Sequence, residues 1–173
     1  MNVYGISKSK CILMKKSLLC LGAFILLASS CSVTKGARDQ RNLISGTWVL
    51  NDVSFENNEG TFKAVVFNDA DVICFEGSSW FFRDNNSTGK YTIKDGSLCD
   101  GGERFIRWSV QERAENYNSQ LQFKFIDEKL KDISGGVGYR LTIANLTAQE
   151  MTLKSNVSVD GEAITVVYDF TKN

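Results

Sequence analysis

The side chains that usually do chemistry are sparse in this 173-residue chain. There is no histidine, so the usual general base at neutral pH is missing, and Ser-His-Asp and Cys-His nucleophile systems with it. The commonest ligand of catalytic zinc is missing for the same reason. Two acid pairs, Asp69 with Asp71 and Asp127 with Glu128, fit no calcium-loop template and read as solvated turn residues rather than a glycosidase pair. Gly135-Gly136-Val137-Gly138 is not followed by the Gly-Lys-Ser/Thr of a phosphate loop, and reads as a connecting loop. Cys74 and Cys99 stand too far apart for the Cys-x-x-Cys of a redox or metal pair. These residues predict no catalytic centre, no metal and no cofactor.

The aromatic residues offer more. Of Trp80, Phe82, Trp108, Phe123, Phe125 and Tyr139, the last four fall on the apolar side of alternating segments, and the first two lie in the run Trp80-Phe81-Phe82. All six are candidates for lining an apolar binding cavity, although aromatic side chains more often simply pack a core. Charge argues against nucleic acid as the partner. Of the 20 Lys and Arg, four lie in the first 30 residues with no acid among them, which leaves residues 31–173 at a net charge of −4. No basic stripe remains to follow a phosphate backbone.

The first 30 residues read as an export signal. Met14-Lys15-Lys16 is a basic start, Ser17 to Leu27 is an apolar stretch of 11 residues, and Ala28-Ser29-Ser30 are small. Such a stretch is far short of the roughly 20 residues that span a bilayer. It fits the hydrophobic region of a cleaved signal, with translation expected to begin at Met14. The small residues ending at Cys31 resemble a lipobox, in which the cysteine is acylated and becomes the new N-terminus. A multiply acylated cysteine is a lasting membrane anchor, because each buried methylene contributes about 0.8 kcal/mol. Ser32, rather than an aspartate, follows that cysteine, which points to the outer membrane and a periplasm-facing domain. Cys11 and Cys20 would leave with the signal, so Cys74 and Cys99 remain as an even pair in an oxidising compartment and are expected to form a disulfide.

Ser32 to Asn42 is polar and without period, and reads as a tether over 31–42. The domain then runs over 43–173. Trp48 and Leu50 alternate with Thr47, Val49 and Asn51, as Ile106, Trp108 and Val110 do with Arg107 and Ser109. The same alternation runs through Leu121, Phe123 and Phe125; Tyr139, Leu141 and Ile143; and Ile164, Val166, Tyr168 and Phe170. This period of two marks strands with one buried face. Asp84 to Gly89, Asp95-Gly96 and Asp160-Gly161 supply the Asn, Asp and Gly that tight hairpins need. Short strands at this spacing predict an antiparallel barrel or sandwich. Only residues 60–73, where Phe62, Val65, Val66 and Phe67 follow neither period, suggest a short helix or an irregular cover.

Gly46-Thr47-Trp48, placed on the first predicted strand, resembles the Gly-x-Trp opening of lipocalins. The wider layout is similar to the lipocalin-like lipoproteins common in Bacteroidetes. The residues carrying that likeness are Cys74 ahead of Ser79-Trp80, Gly89 to Ile93 ahead of Cys99, Leu141 to Thr147, Met151 to Leu153, and Tyr168 to Phe170. The resemblance implies an eight-stranded antiparallel barrel, with Gly46 and Trp48 at its closed end and a small hydrophobic ligand inside. A barrel filled by its own side chains, serving as a partner-binding or assembly subunit, is the alternative use of the same fold. The Thr-Asp-Tyr signature of lipocalins is absent, and the last predicted strand has no arginine to stack on Trp48.

Overall fold

A computed structural model describes residues 34–56, 63–113, 118–159 and 161–173. The expected signal segment, the Met14 start and Cys31 lie outside these residues. The described chain opens with a helix, α1 (Lys35–Ile44). Residues 35–42 were expected in an irregular tether, and this helix corrects that reading. The Thr34 side chain caps it by accepting from the Ala37 amide at 3.2 Å, and the Ser45 amide closes it on the Arg41 carbonyl at 2.9 Å. Such a cap satisfies a first-turn amide that has no partner within the helix. Ala37 and Ile44 are buried on one face, two turns apart along the helix.

Strand β1 (Gly46–Phe55) follows at once. Gly46 makes the corner with φ at 122°, a backbone region closed to side-chain-bearing residues. A two-strand hairpin, β2 (Val65–Val66) and β3 (Ala70–Asp71), leads into a single 3-10 turn, Val72–Phe75. Over its described part, the segment expected to hold a short helix or irregular cover is therefore this hairpin and turn. Then come β4 (Ser79–Arg83), β5 (Thr88–Ile93), β6 (Gly102–Gln111) and β7 (Gln120–Ile126). The chain ends with β8 (Tyr139–Leu146), β9 (Glu150–Val159) and β10 (Glu162–Lys172).

Eight of these strands close into an antiparallel barrel in the order β1-β10-β9-β8-β7-β6-β5-β4. Closure excludes the sandwich, since β1 pairs with β10 on one edge and β4 on the other. A closed sheet has no free edge to aggregate. The period of two read from the sequence is the inside–outside alternation of the barrel wall: Trp48, Leu50, Ile106, Trp108, Leu121, Phe123, Leu141, Val166 and Tyr168 are all buried. A barrel of eight strands is just wide enough for such side chains to fill.

The two ends differ. At the end where β1 begins, α1 covers the opening. The Trp48 indole donates to the Ile44 carbonyl at 2.7 Å. Lys172 on β10 sets its ammonium 5.0 Å from the Trp48 ring centroid and donates to the Leu43 carbonyl at 2.7 Å. The cation missing as an arginine is thus supplied as a lysine. Arg41 on α1 lies 4.7 Å over the Trp108 ring and reaches Asp84 and Ser87 of the β4–β5 turn. The other end carries the β2–β3 hairpin. There the Cys74–Cys99 disulfide, with Cα atoms 5.5 Å apart, ties the 3-10 turn to the connection between β5 and β6.

Candidate functional site

The interior facing the hairpin is built almost entirely from aromatic rings, and two of them, Phe67 on the hairpin turn and Phe75 on the 3-10 turn, belong to no barrel strand. The turn Val66–Asp69 closes with the Asp69 amide donating to the Val66 carbonyl at 3.1 Å. Both central residues, Phe67 (φ 56°) and Asn68 (φ 49°), are left-handed, as a type I′ turn requires. Asn and Gly take this conformation readily; a phenylalanine there costs on the order of 1–2 kcal/mol. Burial offsets that strain. The Phe67 ring is 7% exposed and meets Phe123 at 5.0 Å, Tyr139 and Phe75 at 5.4 Å, Tyr168 at 5.8 Å and Trp80 at 6.3 Å between centroids.

The six aromatic residues singled out from the sequence therefore divide into two groups. Trp80, Phe123 and Tyr139 touch Phe67, and Phe125 packs behind them against Phe123, Tyr139 and Tyr91. Phe82 and Trp108 lie toward the α1 end, 5.3 Å apart. The Trp108 indole there donates to the Arg83 and Thr88 carbonyls, so this pair forms the floor. Phe67, Phe75 and Tyr91 complete the cup and were not foreseen in that role. Each sits where neither period was clear, or as a lone aromatic in an otherwise polar strand.

Polar groups gather at the rim. Asp69 was expected to be a solvated turn acid, and that expectation is corrected. Its side chain is 16% exposed and faces Arg104, which is 17% exposed. The Arg104 Nε donates to both carboxylate oxygens, at 3.0 and 3.1 Å, and the Tyr91 hydroxyl donates to one of them at 2.7 Å. Arg104 occupies the mouth end of the inward row that continues through Ile106, Trp108 and Val110. The other acids behave as turn residues: Asp71 accepts from the Ile73 amide and Asp127 from the Lys131 amide. Beside the turn, an open groove of about 460 Å³ runs along Asn68, Asp69, Arg104, Phe125 and Ile133, with the acids Glu103, Asp127 and Glu128 also on its wall. A groove of similar size on the outer wall of β6 to β8 is walled by Arg107, Gln122, Lys124 and Arg140, and its polar wall suits an apolar ligand less. Among the described residues, no group of three or more Cys, Asp or Glu side chains is arranged to hold a metal ion.

The buried tyrosines give the fold a pH signature. Burial pushes the Tyr168 hydroxyl up to about 12. Burial first, and then its hydrogen bond to Asp69, pushes Tyr91 well above the ordinary tyrosine value. Below pH 10 the folded and unfolded chains both hold these protons. Above it the unfolded chain releases them first, so stability falls as pH rises. Each of the two tyrosines is expected to remove about 1.4 kcal/mol per pH unit over that window. Urea melts from pH 9 to 11 will show the slope, and Tyr168→Phe will reduce it by one proton's share.

No curated protein matches this chain. Similar solved structures include bovine odorant-binding protein in complex with a selenium-containing odorant, at 12% identity over 84% of this chain and 78% of that one, with a TM-score of 0.41. The same protein with its natural ligand shares 12% identity over 84% and 77%, with a TM-score of 0.36. Odorant-binding protein from bovine nasal mucosa shares 13% over 84% and 77%, also at 0.36. The family model for a lipocalin-like domain matches residues 44–153. That match begins at the last residue of α1, takes in Gly46 and Trp48, and runs into β9. It covers well over half of the chain, which therefore belongs to the family of lipocalin-like domains.

Proposed function

We propose that this chain is a lipid-anchored lipoprotein of the cell envelope, of the kind common in Bacteroidetes, whose barrel binds a small hydrophobic molecule and catalyses no reaction. In this reading residues 1–30 are removed, Cys31 carries the lipid, and the domain faces the periplasm from the outer membrane. One observation carries the binding role. The centre of the aromatic cup is occupied by Phe67, a ring delivered on a hairpin rather than by a strand of the wall. A ring brought in from outside the wall can leave without opening the barrel. The cup it would vacate adjoins the open groove beside Asn68, Asp69 and Phe125, which gives a ligand a way in.

Native mass spectrometry of the protein, purified gently from its own envelope, tests this. An apolar mass released on denaturation supports the carrier. The same preparation reports the anchor: acyl chains on Cys31 as the N-terminal residue support it, and a free N-terminus elsewhere overturns it. The second reading, a partner-binding subunit with a permanently filled barrel, is favoured by exposed apolar side chains near the mouth. Val65, Ile73 and Leu98 are 65%, 56% and 80% exposed, and the last two each precede a half-cystine. A clean mass that persists after loading with a lipid extract would support that reading, and crosslinking would then identify the partner.

A further inference from the structure

The turn that delivers Phe67 also delivers Asp69, and together they present an apolar ring and a carboxylate two residues apart. The ring fills the aromatic cup. The carboxylate meets both Arg104 and Tyr91 at the rim. We infer that the barrel's ligand is a hydrophobic monocarboxylic acid that displaces this turn, its apolar body replacing the Phe67 ring and its carboxylate replacing that of Asp69. The inference rests on the hydrophobic-ligand reading above and names the chemical class that reading leaves open.

Arg104 is the reason. It stands on the inward-facing row of β6, directly across from Tyr91 on β5. Its two terminal nitrogens are engaged by the Gly102 and Asp100 carbonyls, each at 2.9 Å, which fixes the Nε edge toward the mouth. If the turn withdrew and a neutral molecule took its place, a poorly solvated guanidinium would lose its anion. Removing one partner of such a pair is strongly unfavourable. A ligand that brings its own carboxylate restores the charge-assisted bonds, and a planar carboxylate suits guanidinium geometry. The Tyr91 hydroxyl, held protonated by its surroundings, remains a donor to it. The neighbouring wall limits the charge to one. Glu103, Asp127 and Glu128 line the same groove, with Lys90 already taken by Glu103, so a second anionic group on the ligand would meet acids rather than a free cation.

The test compares dodecanoate with 1-dodecanol, at equal and sub-micellar concentrations, by calorimetry and tryptophan fluorescence on the mature chain. The inference predicts that dodecanoate binds at least about tenfold more tightly, the worth of one charge-assisted contact. Arg104→Gln should bring the acid down to the alcohol's level. Tyr91→Phe, which keeps the ring in the stack, should reduce the preference several-fold and serves if the arginine variant does not fold. Asp69→Asn removes the internal competitor and should tighten dodecanoate binding. Equal binding of acid and alcohol by the parent protein, or a preference that survives Arg104→Gln, overturns the carboxylate assignment and leaves a barrel for neutral apolar ligands. No binding of either probe, even with Phe67→Ala opening the cup, overturns the hydrophobic-ligand reading itself.

Discussion

Trp48→Ala will lower the free energy of unfolding by about 4 kcal/mol, the middle of the range for deleting a fully buried large aromatic side chain. The indole is 0% exposed, and it joins three elements at once. It packs at the closed end of the barrel, donates to the last carbonyl of α1 and carries Lys172 on its face. Alanine leaves a cavity, an unpartnered Ile44 carbonyl and an ammonium without its ring. Because helix and barrel share that residue, the loss will reach both, so far-ultraviolet and fluorescence melts should shift together. Trp48→Phe, which keeps a ring but loses the indole donor, should cost about 1–2 kcal/mol, near the value of an unsatisfied buried acceptor. A Trp48→Ala loss below that of Trp48→Phe would mean that the end of the barrel collapses to fill the space.

Breaking the Cys74–Cys99 disulfide, by reduction or by Cys74→Ser with Cys99→Ser, is expected to cost roughly 3.5 kcal/mol on the chain-entropy argument for the loop it closes. The bridge spans a separation of 25 residues and holds the 3-10 turn at the mouth against the β5–β6 connection. Its effect should therefore be uneven. Amides of the β2–β3 hairpin and of residues 95–101 should lose protection from hydrogen exchange first, while those of β9 and β10 keep theirs until global unfolding. A hairpin freed in this way would also release Phe67 more easily, so dodecanoate should bind the reduced protein more tightly than the oxidised one. Equal exchange rates in the two states would show that the Arg104–Asp69 contact alone holds the turn.

The barrel wall was legible because its physics is local to each strand. Phe123 and Phe125, or Trp108 and Val110, alternate with polar neighbours, since one side of the sheet meets solvent and the other meets the core. The disulfide was legible by elimination among the cysteines. Helix α1 was not. The face it turns to the barrel reads Ala37, Arg41, Ile44, with an arginine where a helical pattern would place an apolar residue. Arg41 earns its place only through groups far away in sequence, the Trp108 ring and Asp84. Phe67 was hidden for a similar reason. Asn68-Asp69 marks a turn, but nothing local marks the phenylalanine before it as left-handed, and the strain at Phe67 is offset by rings on β4, β7, β8 and β10 and on the 3-10 turn. Asp69 looked like any turn acid until Arg104 and Tyr91 were brought to it by the pairing of β5 with β6. Lys172 shows the converse: the resemblance pointed to an arginine over Trp48, and the barrel accepts a different cation on the same strand.

The pairing of the first strand with the last has a consequence for how the molecule is made. Trp48 lies beside Lys172, and the Asn173 amide bonds to the Thr47 carbonyl at 2.9 Å. A chain synthesised from its N-terminus therefore presents β1 long before its partner exists, with one row of backbone groups unsatisfied. Contacts so distant in sequence form slowly, and exposed strand edges invite association with other chains. The wall can close only once β10 is present to pair with β1. Until then the chain needs shielding, and Lys172→Ala, which unties β10 from the Trp48 ring and the Leu43 carbonyl, would weaken the clasp that ends the wait.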